Sequence, residues 1–544
     1  MTSVSSLSPA AGWTPSATRA ADSASYKTPA ASAPASTPST IVALSGQDAA
    51  VDPARSTMKG SPIVWESGAR DGVSDQIATN FSARSFGGRF SGLGAVLLDQ
   101  LKDGVRNVSQ AVQQPSLRVQ RDTYAELAGV APAGLHGNGE DQVTLSVTTK
   151  SGVEVKLSLD SQGDGLAVRM TTSGELSDAE ASALGDLSEA FQDAIDGMAQ
   201  QPPKARLAGL IQFDQEVLAS VSLHAEVRVR GEQESSETLD FQADGAQRKV
   251  SFSGVSGSLD VKVDTSQLSA LGSPERQAKA LGSYMKQFDQ AASRGHGDAA
   301  LMGMFKEAFT AMSSNAAAPP APGAPPADKW RLAAEDRAML TGLPDFSASI
   351  SQTAKFSNPM RSSERDGFQY EVSQSTTQTG ASQDDRSVRQ KQQSRLSASF
   401  HETLVPGVPL RLTEKVESQN YTYHQIEDTA SSDAQMAYRE GKLVKASLQQ
   451  AASQSTHITK FMMGKVESDV TTPTNHSLMR DLLSVLGPYK TGELGMTPEK
   501  KAEQRQQLLL GLSDDVLLQS YPGQMISLWQ ADVQPKVADA VAAG

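Results

Sequence analysis

The sequence predicts an α+β architecture: antiparallel sheets with helices packed on one face, in a multi-domain chain with a disordered N-terminus. Three observations carry that expectation. Runs of period-two alternation bounded by turn residues recur along the chain. Helical periodicity follows those runs instead of alternating with them, the order expected of α+β. Residues 1–60 lack the apolar side chains a core needs.

The leader comes first. Of the first 40 residues, 31 are Ser, Thr, Ala or Pro, and only Arg19, Asp22 and Lys27 are charged. Such a segment buries too little apolar surface to offset its ordering entropy, so 1–60 reads as disordered. Its uncharged, Ser/Thr-rich texture resembles the export signals of type III secretion substrates. It has neither a basic n-region nor an apolar h-region, so a Sec-type signal peptide is not expected. The location this implies is cytoplasmic, or exported without such a signal.

Residues 61–124 read as a helical segment. Leu93, Leu97, Leu101, Val105, Val108 and Val112 step by three or four, one amphipathic stripe. The glycines ahead of it, in "SFGGRFSGLG", invite a phosphate-loop reading. Gly87 and Gly92 have P-loop spacing, but Leu93 and Gly94 stand where a lysine and a hydroxyl are required. Gly92 and Gly94 begin a dinucleotide fingerprint, but Leu97 stands at its third glycine. The glycines are therefore expected to lead into a helix.

Residues 125–314 read as strands then helices, twice. Val143, Leu145 and Val147 share a face, and Val155, Leu157, Leu159, then Leu166, Val168 and Met170, continue the pattern. Ser177 with Glu180 forms a capping box ahead of a helix through Leu184, Leu187, Phe191, Ile195 and Met198. Four further strands span 216–264. Helices follow, one opened by Pro274 and one carrying Met302, Phe305 and Phe309.

A Pro/Ala linker at 315–335 marks the expected domain boundary. Residues 336–475 then read as an antiparallel β-rich region with one wet face. Phe346, Ala348, Ile350, Ala354 and Phe356 share one parity; so do Phe368, Tyr370 and Val372, and Leu396, Ala398, Phe400 and Leu404. Residues 430–456 fit either a hairpin turning at Glu440-Gly441 or a helix. Residues 476–544 read as C-terminal helices, one with Thr497 as N-cap and Pro498 in its first turn.

Chemistry is sparse. The chain of 544 residues contains no cysteine, which removes disulfides, thiol nucleophiles and cysteine zinc sites. Its net charge of −13, without a Lys/Arg cluster in the sequence, argues against nucleic acid or an anionic membrane as the main partner. No apolar run is long enough for a transmembrane helix. "DSQGDG" from Asp160 imitates a calcium loop, but Gln162 and Thr171 stand at ligand positions, so a hairpin turn is expected. "HGNGED", His136–Asp141, concentrates an imidazole and two carboxylates in a turn. His401-Glu402 is not a zinc motif, because Val405 takes the second histidine position. His424, Glu427 and Asp428 would converge on a helix but separate on a strand.

These readings point to a non-enzymatic bacterial interaction or binding protein, exported or associated with a surface or secretion apparatus. The expected partner is another protein. No catalytic, cofactor or metal residue is assigned, and the oligomeric state is left open. One alternative is a carrier enclosing an apolar ligand between sheet and helix. The other is an enzyme using the His136–Asp141 loop.

Overall fold

The computed structural model describes residues 63–68, 71–114, 132–229, 235–266, 270–314, 331–486 and 497–525. The expected leader and the Pro/Ala stretch at 315–328 lie outside them, as does the end of the chain from 526. The N-terminal strands are β1 (Val64–Trp65), β2 (Val108–Gln113), β3 (Asp141–Thr149), β4 (Glu154–Gln162) and β5 (Gly165–Thr172). Then come β6 (Leu218–Val229), β7 (Ser235–Asp244), β8 (Gln247–Gly254) and β9 (Gly257–Asp264). Six strands follow: β10 (Asp345–Gln352), β11 (Gly367–Gly380), β12 (Arg386–Thr403), β13 (Tyr421–Arg439), β14 (Lys442–Met462) and β15 (Lys465–Asp481). All fifteen form one antiparallel sheet, in the order β1-β2-β5-β4-β3-β6 and then β7 to β15 consecutively. The α+β class is therefore observed, with the sheet dominant.

Ten helices lie wholly within the described residues. They are α1 (Gly72–Asn80), α2 (Phe86–Phe90), α3 (Leu93–Lys102), α4 (Asp178–Gly185), α5 (Ser188–Met198) and α6 (Ala208–Ile211). Beyond them lie α7 (Pro274–Gly295), α8 (Ala299–Ser313), α9 (Ala334–Ala338) and α10 (Pro498–Asp515). Buried side chains alternate along the strands, and the core lies between that sheet face and the helices. Aromatic rings from α7 and α8 meet rings from β10 and β11. Tyr284 and Phe309 pack on Phe346, and Phe288 packs on Tyr370, with centroids 4.9–5.7 Å apart.

Local rules explain most elements. Ser177 and Glu180 cap α4 reciprocally, as expected. Bonds from Ser151 and Ser177 hold the Glu180 carboxyl down at about 2. Ser273 caps α7 with Pro274 in its first turn. Gly92 enters α3 in the left-handed region (φ 68°), and a Cβ on Gly94 would lie 2.8 Å from the Phe191 ring. Backbone conformation and helix packing thus account for these two glycines. At 430–456 the hairpin is observed. Glu440 (φ 52°) and Gly441 (φ 72°) form its turn, the left-handed pair that suits the strand twist.

Four expectations need correction. The stripe from Leu93 ends with α3, and Val108 and Val112 belong to β2. Gln110, buried between them and bonded to Ser74, hid the strand alternation. The helix expected from 177 to 198 is two helices, α4 and α5, that keep one buried stripe. In the β-rich region Ala354 and Phe356 lie beyond β10, with Phe356 exposed, and Leu404 lies beyond β12. Residues 476–481 are the end of β15, paired with β14, so among the described residues up to 486 helical structure begins only at 483.

The strands on either side of the expected boundary are neighbours. β9 and β10 pair over eight positions, from Asp264↔Asp345 to Gly257↔Gln352. The described sheet is thus continuous across the chain positions where composition marks a linker.

Candidate functional site

The His136–Asp141 loop does bring polar groups together. His136 is contributed by the segment that follows a short 3-10 turn (Pro132–Leu135), on the sheet face opposite the helices. Its ring is 2% exposed, and Nε2 lies 2.9 Å from Glu66 Oε2. Ser109 Oγ lies 3.1 Å from Glu66 Oε1 and 3.2 Å from the same His136 nitrogen. The hydrogen bond from His136 holds the Glu66 carboxyl below its ordinary range. An anionic Glu66 requires the proton on Nε2, so that nitrogen is a donor and cannot take the Ser109 proton. His136 Nδ1 and Asp160 Oδ2 are both buried without a hydrogen-bond partner, so no carboxylate orients the ring from behind. The arrangement ties β1, β2 and the 132–139 loop together; it is not that of a nucleophile, base and orienting acid.

The other sequence candidates are dispersed. "DSQGDG" is the β4–β5 turn, with Gln162 paired to Gly165 and Asp160 directed into the sheet under the 132–139 loop. His424 lies beside Glu402 on the helix side, where it stacks on Phe400. Glu427 accepts from Ser397, and Asp428 pairs with Arg294 of α7. Strand alternation puts Glu427 on the face opposite His424 and Asp428, and those two, though on one face, meet different partners. Among the described residues no group of three or more His, Asp or Glu could hold a metal ion, and no helix is long and apolar enough to cross a membrane.

The helix-free face carries a trough of about 750 Å³ between β9 and β15. Its lining is largely Ser, Thr, Gln and Asn, with Asp260, Glu371 and Arg395 as the charged members. Beneath α7 the space beside Arg294 and Asp428 is about 20 Å³, room for one water and not for an apolar ligand.

A different surface stands out by exposure. Three segments meet at the end of the sheet formed by the end of β12, the start of β13 and the β14–β15 turn: loop 353–366, loop 404–420 and the turn at 463–464. Gly464 N donates to Gln419 O, Met463 N to Asn420 Oδ1, and Arg361 Nη2 to Gly464 O. Under them lies a small cluster of Tyr421, Tyr423 and Phe461.

Loop 353–366 is fastened by a buried polar network. His401, 1% exposed, places Nδ1 2.6 Å from Asp366 Oδ1 and Nε2 3.1 Å from Glu364 Oε2. Tyr421 donates to Glu364, Ser357 donates to Asp366, and Asn358 donates to Gln419 and Tyr421. Burial alone would lower the His401 pKa, but the two carboxylates outweigh it and raise the pKa above its ordinary value.

On this scaffold the loops expose apolar side chains. Phe356 and Met360 come from the first loop; Val405, Val408 and Val416 from the second; Met462, Met463 and Val466 from the hairpin tip. They are eight of the fifteen exposed large hydrophobics among the described residues, which makes this a patch and not scatter. Val255, a ninth, lies on the β8–β9 turn, whose Ser256 O accepts from Thr353 N. Sequence reading missed the patch because its members come from three segments about 50 residues apart and lie outside any periodic pattern. Compared with known family models, curated proteins and solved structures, the chain matches none.

Proposed function

We propose that this is a non-enzymatic binding protein that docks through the loop end of its sheet. The observation that carries the reading is the concentration of exposed Val, Met and Phe side chains on loops 353–366 and 404–420 and the β14–β15 tip. Exposing this much apolar surface is unfavourable unless something covers it. The buried His401 network supports the reading too, since it holds the loops in one arrangement before any partner arrives. The bacterial and surface-associated setting remains part of the proposal, carried by the texture of the leader alone.

A photo-crosslinking amino acid tests the surface in the cells that make the protein. Placed at Val408 or Met463 it should capture adducts; placed at Val444, equally exposed at the far end of β14, it should not. Equal labelling at all three positions would sink the proposal. The polar trough supplies a second reading, a polar extended ligand on the helix-free face. Adducts from Gln393 in place of Val408 would favour it.

A further inference from the structure

We infer that the partner of the loop end is an anionic lipid bilayer, an inference that rests on the docking reading above. Charge provides the first argument. Segments 353–366, 404–420 and 460–467 together hold seven Lys/Arg and five Asp/Glu, a net +2 within a chain of net −13. Three of the five anions are already engaged: Glu364 and Asp366 face His401, and Glu467 pairs with Lys460. Lys355, Arg365, Arg411, Lys415 and Lys465 make no ion pair among the described residues, and all five are exposed. The folded chain therefore assembles a cationic end that the sequence, read linearly, does not display. The acidic remainder matters little there, because charges more than about 8 Å away are screened at physiological salt.

The apolar set provides the second argument. The side chains project from two loops and a hairpin tip, with the unpaired cations beside them. Protein interfaces concentrate their binding energy in Trp, Tyr and Arg, and Val is under-represented there. These three segments expose no Trp or Tyr, one Phe, three Met and four Val. Such side chains gain by leaving water for hydrocarbon without needing a shaped pocket. Flanking Lys and Arg gain by approaching lipid phosphates.

The test is co-sedimentation of the full-length protein with vesicles of phosphatidylcholine, alone or mixed with phosphatidylglycerol. The protein should partition onto the mixed vesicles about tenfold or more better than onto the neutral ones, and added salt should weaken the binding. Val408→Asp with Met463→Asp should abolish the partitioning, whereas Val444→Asp should retain it. Both sites are exposed, so folding is checked by an unchanged melting temperature. A second variant, Lys415→Glu with Lys465→Glu, should weaken binding to the mixed vesicles and leave neutral vesicles unaffected. No partitioning of the natural sequence, or equal partitioning of the Val408/Met463 variant, overturns the inference. Protein adducts at Val408 together with an absence of vesicle binding would leave the docking reading standing and remove the bilayer. Absence of both adducts and vesicle binding would remove both.

Discussion

His401 holds two carboxylates that would otherwise face each other in a buried space. Its ring is fixed by Asp366 at one nitrogen and Glu364 at the other. Replacing it with Ala should therefore cost about 3 kcal/mol, because breaking a buried pair leaves charge uncompensated. Urea denaturation measures this, and a loss under about 1 kcal/mol would contradict the network. The pH dependence has a definite sign. A histidine whose folded pKa is raised stabilises fully below its unfolded value near 6.5, and that stability is lost as pH rises through the higher folded value. The natural protein should lose stability between neutral and mildly alkaline pH, and His401→Gln should flatten that slope. Phe400 and Ser399 offer a second comparison. Phe400 is 8% exposed and stacks between His296 and His424, so Phe400→Ala should cost about 3–5 kcal/mol. Ser399, on the opposite face, donates a 2.7 Å bond to Arg365 O, so Ser399→Ala should cost about 0.5–1.5 kcal/mol instead of nothing. Alternation alone makes Phe400 legible. His401 is not, since its partners lie 35 and 37 residues earlier with no motif joining them.

At the scale of elements, β15 is one of the two edge strands of the described sheet, and the ladder fixes which of its backbone groups point outward. Leu482 N donates to Ala446 O, so even-numbered residues down to Ser468 bond to β14 and odd-numbered ones face away. Pro473 is odd. Its missing N–H thus falls on the free edge, where proline is tolerated and where it interrupts a template for another strand. Pro473→Thr restores that donor, and the variant should self-associate with rising concentration, measured by analytical ultracentrifugation. A monomeric variant at all concentrations where the natural protein is monomeric would remove this role. β15 also shows where sequence reading fails. Leu478, Leu482 and Leu486 fit a helix, but residues 476–481 are held by pairing partners 24 to 34 positions earlier. β12 shows the converse difficulty. Its buried face runs Val388, Gln390, Gln392, Ser394 and Leu396, as polar as the exposed one through the middle. Those side chains bond to distant groups, Gln390 to Thr341 N and Gln392 to Val516 O and Tyr284 OH. By contrast α10 was readable, because Thr497-Pro498 is a local signal.

Across the whole molecule, the question is whether 315–335 separates two independent bodies, as the composition suggests. The described contacts argue otherwise. β9 and β10 share a ladder of eight positions across it. Helices α7 and α8, which precede it, cover β10 to β13, which follow it, through Phe346, Tyr370 and the Arg294–Asp428 pair. Tyr284 also donates to Gln392 across the same boundary. A core shared in this way cannot be divided without exposing Tyr284, Phe288, Phe305 and Phe309, all essentially buried. At about 25 cal/mol per Å² and 150–250 Å² per ring, exposing these four would cost on the order of 15–25 kcal/mol before relaxation. Cutting the chain at a site-specific protease sequence introduced within 315–330 should therefore leave both fragments bound to each other. Gel filtration under native conditions should show one species at the intact mass, and denaturing electrophoresis should show two. Fragment 331–544 expressed alone should be insoluble or unfolded, for want of α7 and α8. If the cut fragments separate and each melts cooperatively, the composition has marked a true domain boundary and the shared core is not what holds the halves together.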